Sequence, residues 1–220
     1  MADNSNLLYI PVTDSEFKKI VGKYIPCDFY SGAWIAGGSV RKLWFGLPWI
    51  GQDIDVFFTS IEQYQTFADR MKTHVEATDA TSPFSFDFND ISVLAKPASV
   101  AYETGNATTY TLSDDAVSNN QFKIQAIKRY FVQDIQELFK SFDFTVTQFV
   151  TDGNVIVTTR DAVDDCERHR LRMIHDTTRQ FSVLRMTKYT AYGFEPDDDL
   201  MKQAVTALAN NEAVMIEDDY

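Results

Sequence analysis

Apolar positions recur along this chain in two periods, one suited to helices and one to strands, and the two alternate. Residues 61–74 place Ile61, Tyr64, Phe67, Ala68 and Met71 at helical spacing, which predicts a core-facing helix. Residues 14–23 begin like a capped helix, with Asp14 before Phe17 and Ile20. Ile35–Ala36 closes an apolar strand, Ser39–Phe45 forms the first turns of the next helix, and Asp53–Phe58 reads as a further strand. Phe84–Phe88 and Ile91–Lys96 read as a hairpin around Asn89-Asp90. Residues 97–120, rich in Ala, Ser, Thr, Asn and Asp, are expected as a loop or short strands. Phe122–Tyr130 reads as a strand or a strand-to-helix join, and Asp134–Lys140 as a helix. Asp143–Thr151 and Asn154–Thr159 are expected to pair through Asp152-Gly153, a strong hairpin signal. From residue 161 onward the pattern is helical, over 161–174, 181–192 and 198–210, and the tail Glu217–Tyr220 reads as frayed or as a docking segment. The expectation is an α/β (α+β) protein, a mixed sheet backed by helices, with a small C-terminal helical segment.

Most of the chemistry lies between Ile35 and Phe57. An apolar run ends in Gly37-Gly38, a helix opens with Ser39-Val40-Arg41, and an apolar strand then carries Asp53 and Asp55. Glycines let a backbone approach a phosphate closely, and helix-opening N–H groups favour an anion. Side chains alternate along a strand, so Asp53 and Asp55 share one face. Two adjacent carboxylates repel unless a cation sits between them, and oxygen-only ligands suit Mg²⁺. A diglycine alone is most often a turn, and Asp-x-Asp alone is most often a solvated strand end. Together they point to phosphoryl or nucleotidyl transfer.

The joint pattern resembles the signature of the polymerase-β-like nucleotidyltransferases, most closely the head domain of bacterial-type CCA-adding enzymes and poly(A) polymerases. Gly37, Gly38, Val40, Arg41, Leu43, Gly46, Asp53 and Asp55 match that signature, while Lys42 stands where the family has aspartate. A second segment, Asp143-Phe144-Thr145, matches the family's strand that runs into a hairpin, although Ser141 and Phe142 replace its two arginines. Alternation along such a strand puts Asp143, Thr145 and Thr147 on one face and Phe144, Val146 and Gln148 on the other. A third segment, Leu184 to Phe194, resembles the helix that follows the family's catalytic head, with Arg185 and Lys188 on one helix face. The three matches come in family order.

The resemblance implies a catalytic head over residues 1–160 and a helical, neck-like segment with an acidic tail over 161–220. It implies Asp53 and Asp55 as ligands of two Mg²⁺ ions, and Asp143 as a third acidic group near the metals, a ribose contact or simply a structural aspartate. Gly37, Gly38 and Ser39 would present donors to the β- and γ-phosphates of a nucleoside triphosphate such as ATP. Arg41 would steady the helix start or the phosphates, and Arg185 and Lys188 would reach the triphosphate or brace their helix. The implied activity is transfer of a nucleoside monophosphate to an acceptor hydroxyl, with an RNA 3′ end as the first expectation. The family's Glu-x-x-x-Arg is absent after Phe194, so the chemistry is expected without the template that selects C and A. Stand-alone heads of this size are the kind viruses, phages among them, carry. Two other readings stay open: a silent relative serving as a binding or virion component, and a transferase modifying a protein or small molecule.

Composition narrows the setting. With 220 residues, 45% of them apolar, the chain can bury a core of its own. It has no apolar run of about 20 residues and no secretory leader, and Cys27 and Cys166 are not spaced as a metal pair. A cytoplasmic setting (the host's, for a viral protein) is the expectation. Neither zinc nor a Ser/His/Asp hydrolase is suggested by His74, His169 and His175. The net charge of −12 argues against tight nonspecific binding of DNA or RNA. Its distribution is uneven. Residues 168–188 hold Arg168, Arg170, Arg172, Arg179, Arg185 and Lys188 against Asp176 alone. That band reads as a positive surface for triphosphate, an RNA end or an acidic partner, while Arg168, Arg170 and Arg172 read alternatively as a solvated helix face pairing with Asp164, Asp165 and Glu167.

Overall fold

A computed structural model describes residues 6–27, 29–30, 32–79, 99–114, 121–174 and 183–209. Its strands are β1 Leu7–Pro11, β2 Ala33–Ala36, β3 Asp53–Phe58, β4 Ser99–Glu103, β5 Ala107–Ser113, β6 Gln121–Ile127, β7 Phe149–Thr151, β8 Val155–Thr159, β9 Arg170–Leu171 and β10 Glu195–Pro196. Its helices are α1 Ser15–Tyr24, α2 Gly38–Trp44, α3 Ile61–Asp79, α4 Ile135–Ser141, α5 Arg160–Glu167, α6 Val183–Ala191 and α7 Asp198–Ala209. The first eight strands form one mixed sheet in the order β1-β8-β7-β2-β3-β6-β5-β4, and β9 and β10 form a small parallel pair. This is the expected mixed sheet backed by helices.

Local chemistry sets the helix starts. Asp14 caps α1 by accepting from Phe17 N at 2.8 Å, Asp134 caps α4 through Glu137 N, and Thr159 caps α5 through Ala162 N. Each side chain satisfies an N–H that the helix leaves unpaired.

Strand alternation builds two apolar layers. On one face Ile35, Ile54, Val56, Phe58, Ile124 and Tyr110 pack with Phe17 and Ile20 of α1, Val40 of α2 and Met71 of α3. Ala162, Leu171, Phe194 and Leu200 join the same layer, so the segment after residue 160 shares the core of the sheet. On the other face Trp34, Ala36, Phe57 and Ile127 lie under Leu138 and Phe139 of α4. Asp53 and Asp55 belong to this second face, past the part that α4 covers.

Two expectations need correction. Asp143–Thr151 is not one strand: only Phe149–Thr151 is, and Thr145–Thr147 forms a 3-10 turn. Thr147 donates to Phe144 O and Gln148 N donates to Thr145 O, so local bonds curl a segment whose β-branched residues favour extension. The expected two-faced alternation lapses there, and Phe144, Thr145 and Val146 are all buried. The helix expected over 161–174 stops at Glu167, where His169 takes a left-handed backbone and Arg170 leaves to pair with Glu195. Within residues 97–120 the expected short strands do form, as the hairpin β4–β5 with a register shift between Val100 and Tyr102, turned by the Thr104 hydroxyl accepting from Asn106 N and Ala107 N. The hairpin expected over 84–96 and the tail Glu217–Tyr220 lie outside the described residues.

The Asp152-Gly153 hairpin forms between β7 and β8 as expected. Asp152 accepts from Asn154 N and Val155 N, and Gly153 sits at φ +88°. A Cβ on Gly153 would lie 2.5 Å from Val21 Cγ1 of α1. Gly153→Ala is therefore expected to destabilise by more than the ~1–2 kcal/mol that a left-handed backbone costs an L residue. A urea melt within about 0.5 kcal/mol of the wild type contradicts this placement.

Candidate functional site

The site begins where β2 ends. Gly37 turns the chain at φ +88° and donates its N–H to Phe149 O at 3.0 Å, which ties the bend to β7. A Cβ on Gly37 would come within 3.1 Å of Asp55 Oδ2. The absent side chain is what lets the carboxylate reach the bend. The helix α2 opens directly from it, with Arg41 N donating to Gly37 O at 3.0 Å. Ser39 is fully buried at this opening, and its Oγ has no hydrogen-bond partner.

Asp53 and Asp55 are half-buried on one face of β3, in register with Lys123 and Gln125 of β6, while Ile54 and Val56 are sealed into the opposite layer. Burial first, then the neighbouring Asp53, pushes the Asp55 carboxyl up to about 8, and Lys188 and Arg185 pull it back. The two cations of α6 are thus close enough to act on Asp55.

Asp143 forms an ion pair with Arg185. Among the described residues no group of three or more His, Cys, Asp or Glu side chains is gathered around a common point. Asp143 therefore meets α6 rather than completing a three-acid cluster with Asp53 and Asp55. Its turn is anchored from below: Thr145 Oγ1 donates to Asp165, which is fully buried and also accepts from Arg170 Nε and Arg172 Nε at 2.6 and 3.0 Å. Arg168 pairs with Asp164 at 2.9 Å, and Arg172 also reaches Asp161 at 3.1 Å. These three arginines serve α5 acids, as one reading of the basic band expected, although Arg170 and Arg172 lie beyond the helix. Arg185 and Lys188 are the basic residues of that band that act on the site, and Arg179 lies outside the described residues.

Arg41 is placed differently from the phosphate-facing option. It is 9% exposed, its guanidinium carbon lies 5.5 Å from the Tyr189 ring centroid and 5.1 Å from that of Phe194, and Nη1 donates to Val146 O at 3.4 Å. It braces α6, the helix carrying Arg185 and Lys188, against α2.

A family model described as "Gad2: Gabija anti-defense 2 family protein" matches residues 13–169 of this chain. The chain belongs to the Gabija anti-defense 2 family. The matched span of this Gad2 family member holds the Gly37 bend, both β3 aspartates and Asp143, and ends before α6. Among curated proteins none matches. Among solved structures, the Thermotoga maritima CCA-adding enzyme complexed with tRNA is similar at 16% identity and a TM-score of 0.54, covering 93% of this chain and 47% of that one. The Bacillus stearothermophilus CCA-adding enzyme in complex with CTP is similar at 17% identity and a TM-score of 0.55, covering 90% and 46%. The Gad2 family member thus shares a nucleotidyltransferase-like fold and spans about half the length of those enzymes.

Two residues of the site carry no motif. Gln125 and Thr109 lie beside Asp55 in the register of β3, β6 and β5. The alternation Gln121, Lys123, Gln125 in the sequence marks a polar face of β6, but only the parallel pairing with β3 brings it to the acids.

The raised Asp55 carboxyl has a stability consequence. Its folded value of about 8 lies above the unfolded 3.8, so without divalent ions stability falls as pH rises from about 4 to about 8, and Asp55→Asn removes that loss. The variant is expected to melt higher than the wild type at pH 8 in chelator, with the gap closing towards pH 4. Parallel melting curves across that range sink the assignment.

Proposed function

We propose that this protein is a Mg²⁺-dependent nucleotidyltransferase that moves a nucleoside monophosphate from a nucleoside triphosphate to an acceptor hydroxyl, in the service of the anti-defence role its family carries. The single observation behind this reading is the Asp53–Asp55 pair held against the Gly37 bend. Two partly buried carboxylates on one strand face, offering oxygen donors only, fit a Mg²⁺ ion that also takes substrate phosphates as ligands. When bound there, Mg²⁺ would neutralise the pair, bridge the triphosphate and lower the pKa of an acceptor hydroxyl.

The chain's own residues account for the remainder. Asp53 and Asp55 hold the cation from neighbouring positions of one rigid strand. The Gly37–Gly38 backbone and the unpaired Ser39 hydroxyl offer donors to the terminal phosphates. Arg185 and Lys188 favour the charge that grows on departing pyrophosphate, and Asp143 with Arg41 keeps their helix in place. Nucleotide handling is supported by the resemblance to structures described with CTP and tRNA. An RNA 3′ end remains the first acceptor to examine. The family description favours a second acceptor class, a protein of a host defence system, and the chain's net charge of −12 suits a protein acceptor better than nucleic acid.

Asp53→Ala and Asp55→Ala are each expected to abolish the Mg²⁺-dependent heat of ATP or CTP binding in isothermal titration while leaving the fold intact. Wild-type heats in both variants contradict the assignment. Labelled nucleotide with host lysate, resolved into RNA and protein fractions, then chooses the acceptor.

A further inference from the structure

One buried polar group beside the acid pair has no task in that chemistry. Gln125 lies directly opposite Asp55 in the parallel register of β3 and β6 and is 4% exposed. Across the next ladder it faces Thr109, whose hydroxyl accepts from Gln125 Nε2 at 3.3 Å. The amide nitrogen and oxygen form the two prongs of one planar fork. With Nε2 spent on Thr109, Oε1 is buried without a hydrogen-bond partner.

An unpaired carbonyl in a protein interior is costly and uncommon. Once a cation holds them ionised, its neighbours along β3, Asp55 and Asp53, bring only more acceptor oxygens, and Lys123, two residues along β6 on the same face, does not supply the bond. What this corner lacks is a donor. A phosphate or carbonyl oxygen cannot provide it, whereas an O–H group can.

We propose that Gln125 Oε1 accepts a hydrogen bond from the attacking hydroxyl, so that Gln125 positions the nucleophile while Asp53 and Asp55 serve the nucleotide. Thr109 holds the amide in place through Nε2. This inference rests on the nucleotidyl-transfer reading above. An amide is not a base, so Gln125 orients the O–H without taking its proton. In the transfer the acceptor oxygen forms a bond to the α-phosphorus, and the bond to pyrophosphate breaks with its electron pair leaving on pyrophosphate. The hydroxyl proton passes to solvent. A water carried by the divalent cation presents the same O–H chemistry, and the experiment separates the two sources.

The test uses the full chain with Mg²⁺ and ATP, water serving as acceptor, and follows release of AMP and pyrophosphate for the wild type, Gln125→Leu, Thr109→Val and Thr109→Ser. Gln125→Leu and Thr109→Val should lower kcat about tenfold, the rate equivalent of one hydrogen bond, with the KM for ATP unchanged. Thr109→Ser should keep the wild-type rate. Unchanged half-saturation by Mg²⁺ assigns the bond to the attacking hydroxyl, and a raised one assigns it to water on the cation. The double variant Gln125→Leu/Thr109→Val should melt no lower than the wild type, because it removes the unpaired acceptor without orphaning the Thr109 hydroxyl, a result that a merely structural role would not give. Should Gln125→Leu fail to fold, Thr109→Val and Thr109→Ser decide the matter. An unaffected kcat, an effect on the KM for ATP alone, or activity lost only in step with stability overturns the inference and leaves nucleotidyl transfer standing. A wild type with no Mg²⁺-dependent ATP turnover or binding overturns both.

Discussion

Two like charges on one strand face, neither fully solvated, set the terms for the rest of this molecule. Asp53 and Asp55 are two residues apart on β3, between β2 and β6 in the interior of an eight-stranded sheet. Ile54 and Val56, sealed into the opposite layer, deny the strand any rotation that would turn its carboxylates to water. Gly37 brings a backbone bend close to Asp55 where any side chain would intrude. The sheet thus holds the two carboxyl groups together at a cost that the apolar core outweighs.

Much of the surrounding structure supports that pair from a distance. Arg41, spanning from α2 to the rings of Tyr189 and Phe194, fixes α6 so that Arg185 and Lys188 reach Asp55 electrostatically. Buried Asp165 gathers Thr145, Arg170 and Arg172 and thereby holds the turn that offers Asp143 to Arg185. These contacts join the segment after residue 160 to the sheet through one core layer. The cations that temper Asp55 come from α6, outside the span that the family model matches.

The parts legible in the sequence were those governed by local rules. Period-2 alternation placed Asp53 and Asp55 together, a capping aspartate marked α1, and Asp152-Gly153 marked the β7–β8 hairpin. Where distant side chains decide the backbone, local rules failed. Thr145-Val-Thr147 has strand propensity but curls because its hydroxyls find Asp165 and Phe144 O. The helix expected through residue 174 stops because Asp165 captures Arg170 and Arg172 from the chain beyond it, with no glycine or proline to announce the stop. Arg41 fits a phosphate-binding motif in one dimension, yet its partners, Tyr189 and Phe194, come from almost 150 residues further on. Gln125 and Thr109 could not be found at all, since strand pairing in space, not spacing along the chain, puts them beside Asp55.

A family whose described role is to oppose a defence system, on a scaffold shared with CCA-adding enzymes, makes the cation the decisive question. The most direct measurement is a crystal structure of the protein grown with Mn²⁺ and a non-hydrolysable ATP analogue, read by anomalous scattering. The expected result is a metal peak between the Asp53 and Asp55 carboxylates with the analogue's phosphates against Gly37–Ser39. Ordered analogue elsewhere, or metal bound at sites that exclude both aspartates, would contradict the nucleotidyltransferase reading of this site.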